Sequence, residues 1–134
     1  MSDTSRAMNA FQFRLDNASG IPVYRQIIDR ITGAIASGSL PPGTQLPTVR
    51  QVAVDLQINP NTVVRAYREL EIRGIIQTQQ GVGTFISQKP VERDELERRA
   101  RLERLASDVV ARAGLEGFTL AELLTVLEDR KLLN

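Results

Sequence analysis

LQINPNTVVRAYREL, Leu56–Leu70, is the stretch whose reading decides the fold. Val63, Ala66, Tyr67 and Leu70 recur at the spacing of one helical face. The helix that carries them opens on Asn59, Pro60, Asn61 and Thr62. Asn59 suits an N-cap, because its side-chain oxygen can accept from an N–H that has no partner inside the helix. Pro60 suits the first helical position, where its missing N–H costs nothing. Capping alone accounts for such a head, and caps are common. The neighbouring segments give the head a second meaning.

Upstream, Thr48 and Gln51 have the spacing of a capping box. Val49, Val52, Ala53 and Leu56 then form the inward face of a helix that breaks at Gln57–Ile58, with Ile58 placed to plug the core. Two helices of about three turns, joined by a turn of three or four residues, are a helix-turn-helix. Downstream, the inward face extends to Ile72 and Gly74 stops the helix. IIQTQQGVGTFIS (75–87) alternates around Gln80-Gly81-Val82-Gly83, which predicts a two-stranded hairpin. Further upstream, Pro22 fits the first turn of a helix whose stripe is Val23, Ile27, Ile28, Ile31 and Ile35, with Gly38 as its stop. SLPPGTQLP (39–47) reads as a rigid loop. FQFRL (11–15) reads as a short strand and DNASG (16–20) as a turn. The expectation is a mainly α fold with a small β-hairpin. It comprises an N-terminal segment (1–19), a winged helix-turn-helix (20–89) and a helical region (90–134).

Composition narrows the chemistry. The 134 residues contain no cysteine and no histidine, so thiolate metal sites, disulfides and the commonest general base are absent. There is no GxxxxGK[ST] phosphate loop and no carboxylate pair placed for acid–base work, so an enzyme is not expected and no cofactor is implied. No apolar run reaches the roughly 20 residues of a membrane span, and MSDTSRAMNAFQF lacks the parts of a signal peptide. A cytosolic location is expected. Six aromatic residues are too few for base-stacking platforms of the RNA-binding kind, and Tyr24 and Tyr67 read as core or rim residues. The net charge of +1 divides into nine basic against six acidic residues in 1–90 and eight against ten in 91–134. So small an excess does not by itself single out nucleic acid.

The order of elements does. In a helix-turn-helix the start of the second helix enters the DNA major groove. Its residues must be small enough for close approach and polar enough to bond phosphates or base edges. Asn59, Asn61 and Thr62 meet both demands, and the helix N-terminus favours an anion. Arg65, one turn on, can reach a guanine edge or a phosphate, or can pair with Glu69 on its own helix. Arg68 and Arg73 read as solvated or paired with nearby glutamates, and Thr84 and Phe85 as hairpin structure.

The motifs LPPGTQLPTVRQVA (40–53), NPNTVVRAYRELE (59–71) and GVGTF (81–85) together resemble the DNA-binding domain of the GntR family of bacterial transcription regulators. The resemblance covers residues 20–88, about half the chain. It implies a winged-helix dimer on a palindromic operator. It matches Arg50 to a DNA-contacting arginine of the second helix and Thr48 to a phosphate-contacting residue. It matches Asn59, Asn61 and Thr62 to recognition-helix contacts, and Gln80, Gly81 and Gly83 to the wing tip at the minor groove. Some branches of the family carry arginines where this chain has Pro60 and Val64, so their base preference does not carry over.

After Pro90 the composition changes. VERDELERRARLERLASDVVARAG (91–114) is highly charged, with Leu102, Leu105 and Val109 as a narrow stripe that Leu96 and Ala100 extend. Gly114 and Gly117 bracket a turn. Thr119 and Glu122 form a second capping box, with Phe118 and Leu123 placed as a hydrophobic staple. Leu120, Leu123, Leu124 and Leu127 follow on one face. A two-helix hairpin has too little core to stand alone, so these leucines need a second copy or the chain's own winged helix as cover. The reduced tail resembles the YtrA-type subfamily. That implies dimerisation through the tail and a repressor of its own operon, often one encoding a transporter. Two helices do not enclose an effector pocket by themselves, and no cluster names a small-molecule effector at a dimer interface. A winged helix used for protein–protein contact, with DNA incidental, is the alternative reading.

Overall fold

The computed structural model describes residues 15–88 and 95–132. Two compact units divide at Lys89–Pro90. The first contains α1 (Val23–Ser37), α2 (Val49–Leu56), α3 (Pro60–Ile72), β1 (Ile76–Gln79) and β2 (Gly83–Ile86). The second contains α4 (Glu95–Leu115) and α5 (Leu120–Leu132). All but the last residue of the expected strand 11–15 lies outside the described residues, as do the junction at 89–90 and the start of the tail at 91–94.

The core of the first unit is built on the predicted stripes of α1, α2 and α3, joined by residues outside them. Ile27, Ile28 and Ile31 of α1 meet Val52 and Ala53 of α2 and Val63, Ala66, Tyr67 and Leu70 of α3, all buried. Ile76 and Ile86, paired across the antiparallel hairpin, close it from below. Val49, Leu56 and Ile58 pack against this cluster half-buried. Each fully buried aliphatic side chain contributes roughly 1.5–3 kcal/mol to holding these elements together.

Several boundaries differ from expectation. Pro22 is the N-cap of α1 (φ −56°, ψ 146°) and not a helical residue; its carbonyl accepts from Arg25 and Gln26. The α2 helix has eight residues, shorter than three turns. The 39–47 segment is more than a loop. Leu46 N–H donates to the Thr84 carbonyl, Gly43 N–H to that of Ile86, and Ile86 N–H to that of Thr44, each at 2.8 Å. Its prolines punctuate a strip whose free N–H groups still pair with β2, burying Leu40, Thr44 and Leu46. Ile72 is 75% exposed. It stands two residues past Leu70, off the inward face, and the helix ends there: Ile75 N–H donates to the Leu70 carbonyl, so Ile75 takes the inward place.

That ending recurs. Helix α3 stops through Gly74, α2 through Gln57 and α4 through Gly117, each with φ between 56° and 88°. In each case the N–H of the following residue, Ile75, Ile58 or Phe118, returns to the carbonyl five positions back, which is the Schellman motif. In α4 this carries the helix through Gly114 to Leu115, so Gly114 does not bound the turn.

The α4 and α5 helices pack on each other. The α5 capping box is present: Glu122 N–H donates to Thr119 Oγ1 at 3.1 Å and Thr119 N–H to Glu122 Oε1 at 3.2 Å. Ala113 is the buried residue of α4, while Leu102, Leu105, Leu120, Leu124 and Leu127 stay about half exposed and Val109 is 40% exposed. Leu123 is half-buried. Among the described residues no helix is long and apolar enough to cross a membrane.

Candidate nucleic-acid interface

The head of α3 is built from its sequence as expected. Asn59 Oδ1 accepts from Asn61 N–H at 2.8 Å, and the Asn59 carbonyl accepts from Thr62 N–H at 3.0 Å. The cap uses the Asn59 side-chain oxygen and not its amide N–H groups. Asn59 and Asn61 are exposed and Thr62 is half-buried. Val64 stands on the outer side of the same helix, 36% exposed.

Thr48 anchors the start of α2. Its Oγ1 accepts from Gln51 N–H at 3.1 Å, and Gln51 Oε1 accepts from Thr48 N–H at 2.8 Å. The hydroxyl proton of Thr48 stays available, and both Thr48 and Arg50 are exposed. Tyr67 ties α3 to the segment just before α2: its buried hydroxyl donates to the Pro47 carbonyl at 2.6 Å. Burial pushes the Tyr67 phenol well above its ordinary pKa, so it stays a donor. Thr48 therefore sits one residue from a point fixed to α3.

In the wing, Val82 N–H donates to the Gln79 carbonyl at 2.9 Å, closing a turn with Gly81 at φ 79°. Only glycine adopts that conformation without strain. Gln80 and Gly81 are exposed. Gly83 is not. A Cβ there would lie 2.5 Å from Gln45 Nε2, so the Gln45 side chain covers it. Gln45 also donates to the Val82 carbonyl at 3.4 Å. The pairing of residues 43–46 with β2 puts Gln45 there, and no local spacing reveals it.

Arg65 does not pair with Glu69, its one expected intramolecular partner. Glu69 lies 3.9 Å from Arg73, and the Arg65 guanidinium stacks 3.8 Å from the centre of the Tyr24 ring. Tyr24 belongs to α1 and is half-buried. Asn59, Asn61, Thr62 and Arg65 thus gather along one open cleft of about 410 Å³, completed by Val23 and Tyr24. The cleft presents amides, a hydroxyl, a guanidinium and a helix N-terminus, which are hydrogen-bond donors suited to an anionic, base-bearing polymer.

Residues 23–86 match the sequence profile described as "Bacterial regulatory proteins, gntR family". The regulator YhcF of Bacillus subtilis is 41% identical over 100 residues, 75% of this chain and 74% of its own length. The chain belongs to the GntR family. A second relative, the transcriptional repressor YtrA of the same bacterium, is 45% identical over 75 residues, 56% of this chain and 58% of its own. Among solved structures, YtrA from Sulfolobus acidocaldarius, a GntR-family transcription factor, superposes with a TM-score of 0.56 at 32% identity, covering 73% of this chain and 96% of that one. The GntR winged helix is a DNA-binding domain, so the protein is a YtrA-like transcription regulator and not an enzyme.

Proposed function

We propose that this regulator is a cytoplasmic homodimeric repressor that binds a palindromic operator in or near its own operon. The observation that carries the reading is the pairing of a donor-rich head on α3 with a tail whose leucines lie half exposed in the single chain. Helix α3 reads the major groove through Asn59, Asn61, Thr62 and Arg65. Arg50 and Thr48 fix the register on phosphates, and Gln80 and Gly81 at the wing tip follow the neighbouring minor groove. Gly83 serves the wing from beneath Gln45. A second copy covers Leu102, Leu105, Val109, Leu120, Leu123, Leu124 and Leu127, which sets two recognition helices on one duplex. The relative named a repressor supports repression here, and promoter occlusion is its simplest mechanism.

The test is binding of the full chain to its own upstream DNA across a salt series, for wild type and Arg50→Ala. Expected is binding whose logarithm falls linearly with log salt, and a loss for Arg50→Ala of roughly 10- to 100-fold, the worth of a charge-assisted hydrogen bond. Equal affinity for random DNA, with indifference to Arg50, would sink the reading.

A further inference from the structure

The contact between Arg65 and Tyr24 joins the recognition helix to a helix outside the helix-turn-helix. The guanidinium lies 3.8 Å from the ring centre, on the side of the cleft that Asn59, Asn61 and Thr62 also line. Tyr24 is in the first turn of α1, and that turn is pinned. The Gln26 amide donates to the carbonyls of Asp16 and Ile21, both at 2.9 Å, and Gln26 Oε1 accepts from Asp16 N–H at 2.8 Å. The ring therefore stands on a fixed base. Stacking occupies the face of the guanidinium and leaves the N–H donors in its plane free to bond outward. An exposed arginine without such a platform must surrender its rotamer freedom when DNA binds.

We propose that Tyr24 is a positioning residue for DNA binding, its ring holding Arg65 at the head of α3 with the in-plane donors presented to the duplex. The proposal rests on the reading of that head as the DNA-facing surface. It makes the first helix a determinant of how well one arginine of the recognition helix is used. Tyr24 itself touches no base.

The experiment is a double-mutant cycle on affinity for upstream DNA with the full chain: wild type, Tyr24→Leu, Arg65→Ala and the double variant, with Tyr24→Phe as rescue and Arg50→Ala as reference. Leucine keeps bulk and removes the ring face; phenylalanine keeps the face and loses only the hydroxyl. Expected is a loss of roughly three- to tenfold for Tyr24→Leu, the range of an exposed to partly desolvated cation–π contact, near-wild-type binding for Tyr24→Phe, and a double variant no weaker than Arg65→Ala alone. A merely structural role would make the two losses add. Additive losses, or wild-type binding by Tyr24→Leu or by Arg65→Ala while Arg50→Ala still binds weakly, would overturn the proposal and leave operator binding standing. Absence of sequence-specific binding by the wild type would overturn both.

Discussion

Leu70 in α3 and Leu124 in α5 are the same side chain on two helices of thirteen residues each. Leu70 is 0% exposed and Leu124 is 50% exposed. The first unit wraps three helices and a hairpin around its apolar residues. Among the described residues the second has two helices and buries one alanine of α4. Helix propensity and caps form helices in both units, but only the first has enough layers to cover what its helices expose. The tail is a pair of helices whose leucine face stays about half exposed.

The strongest way to break this comparison is to charge that face. Leu105→Glu with Leu124→Glu should turn a dimer into a monomer in sedimentation equilibrium and weaken operator binding by roughly 10²–10⁴-fold, because the second half-site loses its tether. Unfolding of the winged helix, followed separately, should hardly change. Unaltered mass and affinity would mean that the tail face is covered some other way. A milder pair sharpens the contrast. Leu70→Ala should cost about 2–5 kcal/mol in urea unfolding, whatever the protein concentration. Leu124→Ala should cost stability that grows with dimer content, since mass action links the two. Equal, concentration-independent costs would erase the distinction between the units.

Which parts were legible in sequence follows the same division. The α1, α2 and α3 stripes and the Thr48, Asn59 and Thr119 caps are local patterns, and each appears in place. Ile72 is still helical but lies two residues past Leu70, off the inward stripe, and Gly114 stays inside α4 because a glycine is tolerated within a helix when a better stop follows. The pairing of residues 43–46 with β2 and the lid of Gln45 over Gly83 depend on contacts distant in sequence. So does the seat of Arg65 on Tyr24: the sequence offered Glu69 at the right helical spacing, and Arg73 occupies it instead.

Polar ties differ between the units as well. Thr119 and Glu122 cap α5 at the surface, whereas Tyr67 bonds Pro47 inside the core. Tyr67→Phe leaves the Pro47 carbonyl without its donor and should cost about 1–3 kcal/mol. It should also change the pH dependence. Burial raises the folded-state pKa of Tyr67 above its unfolded value of about 10, so the unfolded chain loses its proton first. Stability from this group is complete below that value and declines as pH rises beyond it. The phenylalanine variant should lack this component of the alkaline decline, which urea titrations from neutral to alkaline pH would measure. Identical slopes would show that the phenol reaches water on the time scale of titration.

The smallest expected effect lies where the two units use one motif with different residues. Helix α4 turns through Gly117 at φ 88°, and α2 turns through Gln57 at φ 56°. A side chain in the left-handed region costs roughly 1–2 kcal/mol, and glycine removes that strain. Glycine also enlarges the conformational freedom of the unfolded chain, which returns about 0.4–1 kcal/mol of the gain. Gln57→Gly should therefore stabilise the winged helix by up to about 1 kcal/mol in urea unfolding, and Gly117→Gln should destabilise the tail by a similar amount. If Gln57→Gly lowered stability, the Schellman geometry would not be the strained feature it is taken to be. Gln57 is exposed, two residues before the Asn59 cap. Operator affinity is therefore the second readout: a stabilised variant that binds more weakly would mean that strain at this turn is retained for the contact its side chain makes with DNA.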